Sequence, residues 1–297
     1  MWSLGEGPEE STQLPGEETP VISVDSRLVV VQASVRNRSG EIVSGLGKSD
    51  FTVFEDGHRQ SISVFLEGDV PVAVGLVVDN SGSMKNKRAD VTAASVELAL
   101  SSNPRDRMFV INFNEHVRFG LPDGKAFSSS VAELEKALER ATPEGETALY
   151  DAVSAGLSQL EKSDCERRVL IVVSDGGDNA SHHNPEELLK EARRSDAVIY
   201  TVGLFDEDNR DSNPRTLHRL AGSTGGEAFF PRMPSEVVRI CRQIAKDIRT
   251  QYTIGYSPAN TRFDGRFRRI KVRASDTTGE PLSVRARAGY VASGETR

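Results

Sequence analysis

The sequence predicts an α/β fold: a doubly wound, mainly parallel sheet flanked by a small β-sandwich built from the N- and C-terminal segments. Two textures predict it. Between Val70 and Thr250, short apolar runs alternate with stretches of helical period, and on either side of that region period-two alternation is broken by Gly-containing turns. The expected organisation is a lead-in over 1–20, half of the β unit over 21–69, the α/β domain over 70–250, and the other half over 251–297.

In the central region, Val72–Val78 (VAVGLVV) is a continuous apolar run, as expected for a strand covered on both faces. A helix is expected over Lys85–Ser101, a strand at Met108–Phe113, and helices over Ser129–Arg140 and Ala148–Lys162. The strand Arg168–Ser174 precedes a helix over Pro185–Ser195, and AVIYTVGL is the next strand. A helix near Pro214–Ser223, the short strand EAFF and a helix over Ser235–Thr250 complete the series. Strands alternating with helices of this length argue for a doubly wound layer.

The flanks read differently. RLVVVQASVRN and FTVFEDGHRQSISVFL precede the domain; QYTIGYS, RFRRIKVRAS and PLSVRARAGYVA follow it, with turn signals at Asp264–Gly265 and Thr277–Gly279. Pieces of two or three strands are marginal alone. Joining the two halves into one unit is therefore expected; two tails packing separately are the alternative.

Composition narrows the function. The net charge of −7, from 37 basic and 44 acidic residues, disfavours nucleic acid, whose phosphates call for a cationic face. The apolar run at Val72–Val78 is far shorter than the ~20 residues of a membrane helix, so no membrane span is expected. Met1–Thr19 is polar, acidic and rich in Pro and Gly, which predicts a disordered lead-in. It lacks the positive start and apolar middle of a secretory signal. Either the protein is intracellular or a signal has been removed. Cys165 and Cys241 make no disulfide framework; a buried free thiol at Cys241 is expected, with a bridge between the two as the alternative.

Three separated segments bring oxygen atoms to one end of the predicted sheet. Asp79-Asn80-Ser81-Gly82-Ser83 follows the first core strand, Gly145-Glu146-Thr147 opens a helix, and Ser174-Asp175-Gly176 follows the strand Arg168–Ser174. Ligands of open parallel sheets bind beyond the carboxyl ends of the strands. Two carboxylates (Asp79, Asp175) and three hydroxyls (Ser81, Ser83, Thr147) suit a hard cation, magnesium or manganese before zinc, with calcium a further option. Two negative charges leave such a cation electrophilic, with a position that an outside carboxylate could fill.

These residues resemble a family. DNSGSM is similar to the D-x-S-x-S element of von Willebrand factor A domains, GETALYDA to their threonine loop and VSDG to their second aspartate turn. The resemblance implies a metal-ion-dependent adhesion site in which Ser81, Ser83 and Thr147 ligate the metal, Asp79 and Asp175 act largely through water, and a partner's Asp or Glu completes the shell. The flanks (FTVFEDG, GLFDEDN, STGGEAFF, QYTIGY, FRRIKV and RARAGYV) resemble bacterial von Willebrand factor A-related proteins, which implies an extracytoplasmic location.

Other features carry less. His182-His183 lies in the loop after Asp175, as a solvated pair or as a rim contact to a ligand. Asp206, Glu207, Asp208 and Asp211 form an acidic loop, either solvated or an accessory calcium site, without the EF-hand spacing. The basic stretch Arg262–Arg273 reads as a solvated sheet face. No P-loop and no nucleophile elbow is present, and Ser81 stands where an aspartyl phosphatase would carry its second aspartate. The expectation is a non-enzymatic, metal-dependent protein-binding module. A subunit of an ATP-driven or metal-insertion complex and a metal-assisted hydrolase are the competing classes.

Overall fold

The computed structural model describes residues 28–140, 142–205 and 212–292. Alternating apolar residues ahead of the central region form β1 (Val29–Arg36), β2 (Phe51–Glu55), β3 (His58–Gln60) and β4 (Ile62–Leu66). The chain then runs through β5 (Val72–Asp79), α1 (Arg88–Leu100), β6 (Arg107–Phe113), β7 (Val117–Phe119), α2 (Val131–Glu139), α3 (Leu149–Leu160) and β8 (Arg167–Ser174). It continues with α4 (Pro185–Arg194), β9 (Val198–Gly203), α5 (Pro214–Thr224), β10 (Ala228–Phe229) and α6 (Val237–Arg249). The return is β11 (Tyr252–Tyr256), β12 (Phe267–Ser275), β13 (Pro281–Ala286) and β14 (Gly289–Val291).

The central sheet has the order β10-β9-β8-β5-β6-β7, parallel throughout except for the antiparallel edge β7. Every residue of β5 is buried, because the helices fall into two neighbour groups, α2–α1–α6 and α3–α4–α5, that cover both faces of the sheet. Gly75 permits that closeness. A Cβ there would sit 2.4 Å from Phe109 Cζ and 2.7 Å from Leu170 Cδ1. The edge strand β7 was not among the expected elements; its three residues carry too short a pattern to stand out. The helices match expectation to within a few residues at their ends; the largest difference is at α1, which begins at Arg88, after a 3-10 turn over Gly82–Met84.

The flanks join, as expected, and they interleave. The second sheet has the order β3-β2-β12-β13-β1-β11-β4, with β14 added to β12, so β1 lies between two strands from the far end of the chain. This antiparallel sheet curls into a near-barrel. Phe51 on β2 and Phe65 on β4, near its opposite ends, have ring centroids 5.4 Å apart, and Tyr252 lies 4.9 Å from Phe51 and 5.9 Å from Phe65. Tyr256 on β11 likewise donates to Glu55 Oε2 on β2 at 2.8 Å. The facing halves of the predicted sandwich thus belong to one continuous sheet.

Arg167, at the start of β8, joins the two units. It is 1% exposed and donates to Gly68 O (3.1 Å), Gln251 O (2.8 Å) and Thr253 Oγ1 (3.1 Å). Beside it Arg249 pairs with Asp106 and Asp69. At the other end of the junction Asp247 on α6 and Glu227 both pair with Arg285 on β13. Both cysteines are free and buried, and burial pushes the Cys241 thiol up to about 12. No helix among the described residues is long and apolar enough to cross a membrane. The predicted lead-in over Met1–Thr19 lies outside the described residues.

Removing the Arg167 side chain strands several buried acceptors at once, each costing about 1–3 kcal/mol. Arg167→Ala is therefore expected to lower the unfolding free energy by about 3 kcal/mol or more in chemical denaturation. A loss below about 1 kcal/mol would mean that the junction contributes little to stability.

Candidate metal centre

Strand pairing sets the site. β5 and β8 are parallel neighbours in the register Val78↔Val173, so Asp79 and Ser174 end their strands side by side. Ser174 Oγ donates to Asp79 Oδ2 at 2.7 Å, and the backbone N–H of Ser81 donates to Asp79 Oδ1 at 2.8 Å. The second contact is a short Asx turn that directs the chain out of the strand. Onward, Ser81 Oγ lies 3.2 Å from Ser83 Oγ, and Ser83 Oγ donates to Asp175 Oδ2 at 2.8 Å. Asp175 Oδ1 accepts from Gly177 N at 3.0 Å. Asp79, Ser81, Ser83 and Asp175 thereby form one hydrogen-bonded network. The turn at Gly176 needs glycine twice over: its φ is +80°, and a Cβ would meet Asn213 O at 2.4 Å.

Thr147 reaches the same edge by its backbone. Its loop docks on the Asp79–Ser83 turn through Gly82 N to Gly145 O (3.2 Å) and Glu144 N to Asn80 O (2.9 Å). Thr147 N donates to Asn179 Oδ1 at 2.8 Å, and Thr147 O accepts from Asn179 N and Ala180 N at 3.0 and 3.1 Å. The next residue, Ala148, donates to Asn114 O at 2.7 Å. Three loops therefore hold the threonine, and two asparagines that the sequence reading did not single out do part of that work. Asn80 is a third, bonding Val78 O and Asn112 Oδ1 at 3.0 and 3.1 Å. Their signal, Asn at a strand end or loop, is too common to read alone.

The electrostatics suit a cation. Asp79 is 2% exposed, and burial pushes its carboxyl up to about 6, against the hydrogen bonds from Ser81 and Ser174; the charge of Asp175 raises it further. Among the described residues, the donors to the Asp79 carboxylate are the neutral Ser81 N–H and Ser174 hydroxyl. A divalent cation would supply positive charge. Carboxylate and hydroxyl oxygens are the donor set that magnesium, manganese or calcium prefers. The described residues contain no group of three or more His, Cys, Asp and Glu placed to hold a metal, so a centre here depends on its hydroxyls.

Behind the threonine loop, His182 and His183 are not a free pair. Asp151 on α3 accepts from the backbone N–H groups of both, and the Nδ1 atoms of His182 and His183 lie 3.0 and 2.7 Å from its oxygens. Burial works against the Asp151 charge, but these backbone and ring contacts outweigh it and hold the carboxyl well below the usual range. The bond to Asp151 raises His183 in turn. This clamp fastens the same loop whose Asn179 and Ala180 hold Thr147. The acidic residues Asp206, Glu207, Asp208 and Asp211 lie outside the described residues.

The fold and this edge define a class. The von Willebrand factor type A domain family matches residues 74–240, more than half of the chain, and the chain belongs to that family. It is 28% identical over 178 residues to an uncharacterized protein of Synechocystis sp.; the match covers 59% of this chain and 41% of that relative's length. Among solved structures it is similar to a von Willebrand factor type A protein from Catenulispora acidiphila (TM-score 0.55, 15% identity), over 83% of this chain and 76% of that one. The von Willebrand factor domain of the type V pilus tip protein Mfa5 from Porphyromonas gingivalis matches 61% of this chain and 95% of its own (TM-score 0.51, 14% identity). Proximal thread matrix protein 1 from the mussel byssus, in a structure with a zinc-occupied MIDAS motif, matches 61% and 49% (TM-score 0.50, 16% identity). At these identities the structural likenesses establish the fold.

The clamp predicts a pH dependence. A raised His183 contributes stability that is complete below its unfolded value of 6.5 and lost as pH rises through its higher folded value. A lowered Asp151 contributes above 3.8 and is lost as pH falls through its folded value. Both contributions are present in mildly acidic solution. Hydrogen exchange at His182 and His183, corrected for intrinsic rate, should show protection greater at about pH 5.5 than at about pH 8.5. Because both rings are largely exposed, the factor should not exceed about five. Asp151→Asn should abolish the difference; an unchanged difference in that variant would dismiss the clamp.

Proposed function

We infer that the chain is a metal-dependent protein-binding module of the adhesion type, without catalytic activity of its own. A divalent cation, magnesium or manganese first and calcium as a further option, would be held by Asp79, Ser81, Ser83, Thr147 and Asp175. The observation that carries this reading is the cluster of carboxylates and hydroxyls at the carboxyl edge of the parallel sheet, where Asp79, Ser81, Ser83 and Asp175 are already joined by hydrogen bonds. The bound cation supplies an electrophilic position that accepts a carboxylate from a partner's Asp or Glu.

The residues divide the work. Asp79 and Asp175 provide charge, and the hydrogen bonds from Ser174 and Gly177 fix the carboxylates' orientation. The hydroxyls of Ser81, Ser83 and Thr147 provide neutral oxygen, leaving the cation under-neutralised and selective for an anionic side chain over its amide. The family membership and the MIDAS motif of the mussel protein support the reading. So does the pilus tip domain, a bacterial protein of this fold, which also favours an extracytoplasmic setting for this chain.

Calorimetry with manganese should give saturable binding to the intact chain. Asp79→Asn keeps the size of the side chain and removes the charge; it should weaken binding at least about 100-fold, with an unchanged circular dichroism spectrum. Thr147→Ala should weaken it as well. A peptide array pairing each Asp or Glu peptide with its Asn or Gln counterpart then tests the carboxylate. Binding should follow the acid and vanish with chelator. Undiminished manganese affinity in Asp79→Asn would remove the metal from this site, and equal capture of acid and amide peptides would remove the carboxylate from the mechanism.

A further inference from the structure

The outward face of β12 concentrates positive charge on a chain whose net charge is −7. Along this strand Arg268, Ile270 and Ala274 point into the near-barrel, whereas Phe267, Arg269, Lys271 and Arg273 alternate outward and are exposed. Successive outward side chains on a strand stand about 6.7 Å apart. Strand pairing widens the line into an area. Lys271 is opposite Phe54 on β2, and Phe54 is opposite the exposed Arg59 on β3, so one row reads Lys, Phe, Arg across three strands.

The aromatic rings are part of the same surface. The Arg273 guanidinium lies 5.1 Å from the Phe54 ring centroid, and Arg193, at the end of α4, lies 5.8 Å from that of Phe267. Phe267 itself remains 42% exposed. Arg59, Arg193, Arg269, Lys271 and Arg273 form no ion pair among the described residues. Asp56, in the turn between β2 and β3, accepts the backbone N–H of Arg269 at 2.9 Å.

We propose that this face of the β unit rests on an anionic phospholipid surface. Clustered arginine and lysine attract the anionic headgroups, and exposed phenylalanine beside them gains by entering the headgroup layer. Shape favours a lipid surface over a linear polyanion. The sheet curls around a core on its other side, so this face is convex; a polymer is gripped by a groove, whereas a convex patch can lie against a plane. Position favours it too. β5 and β8 run from the junction with the β unit to the Asp79–Asp175 edge, eight residues or roughly 23 Å of strand. A chain seated on its β unit leaves the opposite edge clear to meet a partner.

The test is co-sedimentation of the full chain with vesicles of phosphatidylcholine alone, or of phosphatidylcholine and phosphatidylglycerol in equal parts, at low and high salt. Binding is expected to the anionic vesicles only and to fade at high salt. Each basic residue near the surface is worth about a factor of five. Arg269→Glu, Lys271→Glu and Arg273→Glu together should therefore weaken binding by at least about two orders of magnitude. All three are exposed, and an unchanged melting temperature will show that the fold survives. Phe267→Ala should weaken binding at fixed charge. Asp79→Asn should sediment like the unaltered chain, which separates this surface from the metal site. Equal binding to neutral vesicles would overturn the proposal, and so would undiminished binding of the triple variant. Retention on heparin or single-stranded DNA without vesicle binding would overturn it in favour of a soluble polyanion.

Discussion

Parallel pairing of β5 with β8 holds Asp79 against Ser174, one residue before Asp175, and the rest of the carboxyl edge is arranged around that contact. Burial raises the Asp79 carboxyl first, and the neighbouring Asp175 charge adds to that rise. The sheet imposes the contact regardless, because the apolar residues behind Asp79 and Ser174 are buried on both faces and fix the register. Hydroxyls and backbone N–H groups then soften the repulsion without cancelling it. The two carboxylates are thus held at fixed positions by packing far below them.

Much of this was legible in the sequence, for identifiable reasons. β5 and β8 declare themselves as continuous apolar runs, and the acidic and hydroxyl residues follow them immediately, so strand ends and chemistry coincide in one reading. Thr147 was legible through its place at a helix start. What held Thr147 was not: Asn114 and Asn179 come from two other loops and bond backbone atoms, a role with no spacing rule. The clamp by Asp151 was hidden for the same reason, since its partners lie more than thirty positions away in the chain. The β unit was predicted from its turns and alternation, but its curl depends on Phe51 meeting Phe65 and Tyr252, which period-two patterning does not encode.

The junction between the units is polar, unlike either core. Arg167 spans three segments through carbonyls and a hydroxyl, while Asp247, Arg285, Glu227 and Arg36 form a cluster beside Tyr200. Burial, then the neighbouring Asp247 charge, keeps the Tyr200 phenol protonated, so it donates to Asp247 at 2.5 Å. Such directional contacts tolerate little sliding. The C-terminal turn of α6 carries Asp247 and Arg249, both engaged, so the helix is fastened at the end that leads into β11. A rearrangement at the carboxyl edge that displaced α6 along its axis would have to break those pairs.

The interleaving of β1 between β11 and β13 bears on how the chain is made. The two neighbours of β1 are synthesised more than two hundred residues after it, so its hydrogen-bonding edges wait through the production of the whole α/β layer. At ribosomal rates of about 5–20 residues per second, that interval is on the order of ten seconds or more. During it, an apolar strand with two open edges is exposed to any other strand nearby. The α/β layer, whose strands all come from one continuous stretch of chain, can close before then. The β unit is completed only when the last strands arrive, which makes it the part of the molecule that a holding chaperone would be expected to protect.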